Sequence, residues 1–223
     1  MANAVKKVNS IAIADIKNIN GITDTNLKKL NGLEFTGVTD AHTFISSATA
    51  SNSSVLSFTS GIDSTYDVYE FHFINIHPAN DAVDLRFQVN ADGGSGYNEA
   101  MATTFFRTKH HEDGSAQEIA YIAGYDRTPA DASSQPFQPL GNGTSTDATH
   151  STSGILTLYG PSSGTYVKHF QAQLVEAHES DIIMDTYVAG YVNTTTAIDE
   201  IQFKMSAGSI ATGEIRMYGL AKS

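Results

Sequence analysis

From Val55 to the C-terminus, short apolar and aromatic runs rich in β-branched residues recur between clusters of Gly, Asn, Asp, Ser and Pro. Such residues suit a pleated, half-buried surface, and runs punctuated in this way are the signature of an all-β domain. Val83 to Val89 alternates strictly, with Val83, Leu85, Phe87 and Val89 on one face and Asp84, Arg86 and Gln88 on the other. This is the half-buried pattern, and its polar side is expected to meet solvent or a subunit. Tyr66 to Ile76 places Tyr69, Phe71 and Phe73 on one face and Val68, His72, Ile74 and Ile76 on the other, which predicts a central strand covered on both faces.

Further strands are expected at Met101 to Arg107, Ile119 to Ile122, Gly154 to Tyr159, Tyr166 to Leu174, Met184 to Val192, Ile198 to Met205 and Glu214 to Leu220, and Thr43 to Ile45 is a candidate first strand. The economical arrangement for residues 41–223 is a β-sandwich, jelly-roll-like in its connections. Ala48 to Ser54 is small and polar and reads as an exposed loop or linker. Thr128 to Ser153, with Pro129, Pro136 and Pro139, reads as a long surface excursion of the kind that carries contacts.

Residues 1–40 carry a different signal, a threefold repeat of eleven residues: Val5-x-x-Val8-Asn9-Ser10-Ile11, Ile16-x-x-Ile19-Asn20-Gly21-Ile22 and Leu27-x-x-Leu30-Asn31-Gly32-Leu33. Asp15 and Asn26 are cap-type residues, and an Asn-Gly pair tolerates positive φ. The segment is therefore expected to form short helical turns or tight loops, since Gly21 and Gly32 would each cost a continuous helix about 1 kcal/mol. Three small apolar ridges, Val5, Val8 and Ile11, then Ile16, Ile19 and Ile22, then Leu27, Leu30 and Leu33, are too few to enclose one another and need another surface. That surface is either the β domain or a partner, and these nine residues are the candidate anchor.

The chain has no cysteine, which excludes disulfides, thiolate metal sites and cysteine nucleophiles. A net charge of −11 without a dense Lys/Arg run argues against nucleic-acid binding. The first residues lack the apolar stretch of a signal peptide, and no segment approaches the roughly 20 apolar residues that span a bilayer, so synthesis in the cytoplasm without membrane insertion is expected.

Candidates for chemistry are weak. His110 and His111, beside Glu112 and Asp113, point to opposite faces of a strand, and His72 and His77 are of opposite parity, so neither pair is expected to hold a metal ion. Asp92-Gly93-Gly94-Ser95-Gly96 lacks the Lys-Ser/Thr ending of a P-loop and the acidic ladder of an EF-hand, and is expected to be a flexible hairpin connection. No serine sits in a nucleophile elbow and no carboxylate pair is set in an evident cleft. No catalytic residue and no cofactor is expected.

Phe58 to Tyr66 and Phe71 to Pro78 resemble blocks in virion structural proteins of tailed bacteriophages, especially those of cyanobacteria and other aquatic bacteria. Asp92 to Asn98, Val167 to Phe170, Tyr187 to Tyr191, Ile201 to Ser206 and the closing Gly213 to Leu220 look like further blocks of that family. The resemblance implies a non-enzymatic protein of the virion, made in the host cytoplasm. The leading expectation is a peripheral appendage, a tail fibre or baseplate-associated fibre, docked to other virion proteins by the repeat and turned outward toward the host surface and its glycans. The rival is a capsid decoration or head-fibre protein that stabilises the shell. A homotrimer is expected on the same grounds.

Overall fold

The computed structural model describes residues 42–220 and, before them, six two-residue strands at 7–8, 11–12, 18–19, 22–23, 29–30 and 33–34. The chain divides into two compact units, Met1–Ala41 and His42–Ser223.

In the first unit β1 (Lys7–Val8) pairs with β2 (Ile11–Ala12), β3 (Asn18–Ile19) with β4 (Ile22–Thr23), and β5 (Lys29–Leu30) with β6 (Leu33–Glu34), all antiparallel. Each repeat unit thus contains one short antiparallel strand pair, and the helical turns expected ahead of each pair, from Val5, Ile16 and Leu27, fall on residues outside the described ones. Two residues separate the paired strands in each unit, the spacing that hairpins favour.

The second unit is built from two antiparallel sheets. The larger contains β7 (His42–Thr49), β9 (Val68–Pro78), β11 (Met101–His111), β12 (Gln117–Tyr121), β14 (Thr152–Tyr159), β15 (Lys168–His178), β16 (Ile182–Val192) and β18 (Ile210–Leu220). Its order is β12-β11-β16-β15-β14-β9-β18-β7. The smaller contains β8 (Leu56–Phe58), β10 (Leu85–Ala91), β13 (Gln138–Pro139) and β17 (Ile198–Met205), in the order β13-β10-β17-β8. Two short 3-10 turns, Ala123–Tyr125 and Pro129–Ser133, are the helical elements among the described residues, and no helix there is long and apolar enough to cross a membrane.

The sandwich core forms where alternate residues of both sheets meet. Phe203 of the smaller sheet lies 5.6 Å from Phe71, 5.2 Å from Phe73, 6.3 Å from Phe58 and 6.5 Å from Phe87 between ring centroids. Edge-to-face and tilted contacts of this kind add to the apolar area that such rings remove from water. Lys168, on the inward side of β15, is buried as well, and its ammonium donates to the carbonyls of Ser163 and Tyr166. The strand β7 runs through Ala48 and Thr49, further into the expected linker than the sequence pattern indicated, and Ala50 is buried.

Three local expectations are corrected. Strand β9 carries a bulge: Asn75 has φ 50°, the pairing slips beside it, and Ile76 moves to the inner side with Phe71 and Phe73. Gly213 on the neighbouring strand makes this possible, because at φ 120° a Cβ there would lie 2.8 Å from Ile76 Cα. The parity argument that separated His72 from His77 therefore fails, and the outward side of β9 is not covered as expected.

The polar side of β10 does not face solvent or a subunit: Gln88 is fully buried and donates to the carbonyls of Glu99 at 3.0 Å and Pro136 at 2.5 Å. Asp92 to Gly96 is not a hairpin connection either, since it joins β10 of one sheet to β11 of the other. Tyr97 ties it down by donating to Glu200 Oε2 at 2.9 Å, and burial with that carboxylate pushes the Tyr97 phenol up to about 12.

Candidate functional site

The two sheets treat their outward faces differently. The outward side of the smaller sheet is roofed by residues of the long excursion. Arg127 is buried and donates from Nε to the Phe137 carbonyl at 3.1 Å, and Lys204 of β17 lies 4.1 Å from the centre of the Phe137 ring. Gln138 is buried and donates to the carbonyls of Tyr125 and Pro139, while Tyr125 donates to Asp84 at 3.1 Å.

Residues 140–145 instead pack on the inward side of the larger sheet, at the end of β15. Leu140 is buried, its carbonyl accepts from the Thr186 hydroxyl, and the Asn142 amide and Thr144 hydroxyl donate to Glu176 at 2.6 and 3.0 Å. Burial pushes the Glu176 carboxyl up to about 7, and those hydrogen bonds only partly offset it. The excursion expected to reach outward is therefore largely a covering element. Its Thr128 to Ser134 turn remains at the surface, capped by Asp131, whose carboxylate the Thr128 amide holds below its ordinary range.

The outward side of the larger sheet has no such roof among the described residues. Its side chains fall in rows across the strands, as the register dictates. One row reads Phe106, Tyr187, Gln173, Ile155 and His72, and the next reads Thr104, Ala189, Gln171, Thr157 and Glu70. The Phe106 and Tyr187 rings are stacked, 4.8 Å apart and 7° from parallel, with Phe106 41% exposed. Over the short side chains of the second row, beside the bulkier first, lies an open trough of about 450 Å³.

Polar groups along it are ordered by their neighbours. Gln173 Nε2 donates to Asp185 and to the Tyr187 hydroxyl at 3.0 Å, and Tyr187 donates to Asp185 Oδ2 at 2.7 Å. Asp185 in turn holds the Tyr187 phenol above its ordinary range. At the far end Glu70 Oε2 lies 2.9 Å from His72 Nε2 and 3.1 Å from His42 Nε2, and His72 packs on the Tyr218 ring. Gln171 is exposed and its amide has no hydrogen-bond partner among the described residues.

The sequence-derived candidates fall elsewhere. Of the nine anchor residues, Val8 pairs with Ile11, Ile19 with Ile22 and Leu30 with Leu33 across the hairpins, whereas Val5, Ile16 and Leu27 lie outside the described residues. His110 and His111 end β11 on alternate faces, and His77 binds the His150 carbonyl at 2.8 Å rather than approaching His72. A group of three metal-ligating side chains does form where sequence spacing gave no hint, Asp147, His150 and Asp181, with ligand atoms within 4.8 Å of one another. Asp147 and Asp181 are exposed, and exposed acidic groups commonly sit together without an ion.

The trough was not singled out from the sequence, although a signal was present. Within β15, His169, Gln171 and Gln173 alternate with the buried Phe170, Ala172 and Leu174, which marks two adjacent amides on an outward face. Comparison of the chain with protein families, with curated proteins and with solved structures finds no match in any of the three.

Proposed function

We propose that this chain is a non-enzymatic structural protein of a bacteriophage particle, a peripheral appendage of the tail-fibre or baseplate-fibre kind. The hairpin repeat docks to other virion proteins, and the sandwich turns toward the host surface. The observation that carries the reading is the contrast between the two outward faces: the smaller sheet is roofed by its own chain, and the larger presents an ordered, polar and aromatic trough. The virion-protein resemblance of the Phe58 to Pro78 and Gly213 to Leu220 blocks supports the setting.

A homotrimer fits this reading, because a short apolar repeat gains from being presented several times over. Light scattering of the full chain is expected to return a trimer, and a monomer would count against it.

The second reading is a capsid decoration or head-fibre protein. Val175 and Ile183, each half exposed on the larger sheet's outward side, favour it because a shell subunit could cover them. Immunogold labelling of intact particles separates the two: gold at the tail tip or baseplate supports the appendage, gold over the head supports decoration, and no gold overturns both. Replacing Ile16, Ile19 and Ile22 together by Asp is expected to abolish incorporation while leaving the sandwich folded. Normal incorporation of that variant would remove the repeat from the docking role.

A further inference from the structure

The trough crosses the strands rather than running along them. From β11 through β16, β15 and β14 to β9 there are four inter-strand steps, so it extends about 19 Å. Its floor is made of short side chains, Thr104, Ala189 and Thr157, with Gln171 standing between them, and one rim is the bulky row from Phe106 to Ile155. A narrow depression of this length suits an extended chain better than a compact ligand.

Three classes of extended chain meet this surface differently. A peptide adding as a strand needs the unpaired amides and carbonyls of a sheet edge, and the trough lies on a face whose backbone groups are already paired. A nucleic acid or another polyanion needs cationic side chains, and the lining includes the carboxyl group of Glu70 and no Lys or Arg. An uncharged glycan needs apolar surface for its C–H faces and paired donors and acceptors for neighbouring hydroxyls. The Phe106–Tyr187 slab supplies the first; the amides of Gln171 and Gln173, the Thr157 hydroxyl and Glu70 supply the second.

Preorganisation favours the same occupant. Tyr187 and Gln173 are held by Asp185, and Glu70 by His42 and His72, so these groups lose little freedom on binding. The Gln171 amide is the group left to a ligand. Successive rings of an extended glycan advance by about one strand spacing, so each strand can offer a side chain to one sugar unit.

We propose that this trough binds an uncharged, extended glycan, laid across β11, β16, β15, β14 and β9, with a sugar ring against the Phe106–Tyr187 slab and hydroxyls on Gln171 and Glu70. The inference rests on the outward-facing role of the sandwich and adds the ligand class and the residues. A carboxylated glycan should bind more weakly, because Glu70 would lie against a like charge.

The test is a panel of linear oligosaccharides of glucose, galactose, mannose and N-acetylglucosamine, with oligogalacturonate as the acidic comparison, applied to the full-length protein and followed by calorimetry. Tyr187→Ala and Gln171→Ala are compared with Ile119→Ala, an exposed substitution on β12 outside the trough. The expected result is binding of at least one uncharged oligosaccharide, weakened about tenfold or more by each trough variant and unchanged in Ile119→Ala, with the melting temperature unaltered in Gln171→Ala and Tyr187→Ala still unfolding in one cooperative transition. Binding of oligogalacturonate alone, binding indifferent to both trough variants, or no binding across the panel would each overturn the proposal. So would a change of oligomeric state in Tyr187→Ala by light scattering, which would make the face a contact between copies of this chain. Immunogold labelling distinguishes the failures, since labelled particles with a silent panel would remove only the glycan, and unlabelled particles would remove the virion reading whatever the panel returned.

Discussion

The outward faces of the two sheets begin from similar sequence and end differently. On β10 and just before it, Asp84, Arg86 and Gln88 alternate with core residues; on β15, His169, Gln171 and Gln173 do the same. Gln88 is nevertheless fully buried, while Gln171 and Gln173 are exposed. The cause lies outside the strand, in Glu99 and in residues 125–139, which cover the smaller sheet's outward side, the carbonyls of Glu99 and Pro136 accepting from Gln88. A glutamine enclosed in this way holds structure together, whereas one left in an open trough is available to a ligand.

Substitutions can break this contrast, beginning with the layer the two faces share. Phe203→Ala removes a ring in contact with Phe58, Phe71, Phe73 and Phe87, and is expected to lower stability by about 3–5 kcal/mol in chemical denaturation. A loss below about 1 kcal/mol would mean that the sheets do not pack through this ring.

Glu176, buried on the inward side of β15 against residues 140–145, makes stability depend on pH. Its carboxyl is raised from 4.5 to about 7 in the folded chain, so it is protonated in both states below pH 4.5 and its own contribution to stability is fully present there. As pH rises from 4.5 toward 7 the unfolded chain releases its proton first, and this group withdraws about 3 kcal/mol of stability. Glu176→Gln keeps an oxygen for the Asn142 amide and removes the titration. Its stability profile is expected to lack the roughly 3 kcal/mol decline that Glu176 causes over that interval, and a slope equal to that of the native protein would show that the Glu176 carboxyl is not raised in the fold.

Gln88→Ala leaves the carbonyls of Glu99 and Pro136 without their donor beneath the roof, at an expected cost of about 1–3 kcal/mol. The matching change on the open face, Gln171→Ala, is expected to cost less than about 0.5 kcal/mol in the same thermal melt. Equal losses at the two positions would erase the distinction between a covered face and an open one.

Much of this architecture was legible in the sequence. The runs at Val83 to Val89, Met184 to Val192 and Ile198 to Met205 are strands because alternating apolar residues with β-branched and aromatic side chains state a period of two locally. The Asn-Gly spacers of the repeat carry a local hairpin signal, and strands pair on either side of them. The bulge at Asn75 was not legible, because it depends on Gly213, which lies on a strand more than a hundred residues away in the chain.

By itself, then, the sequence determined the strand content, the alternation of inward and outward residues and the presence of a distinct repeat, since these follow from neighbours within a few positions. Only the tertiary structure decided which outward face would be roofed, that His72 would meet His42 and Glu70 rather than His77, and that Gln171 would lie beside Thr157 and Ala189. Strand order brings those residues together, and strand order is set by the packing of side chains remote in sequence, which no local pattern encodes.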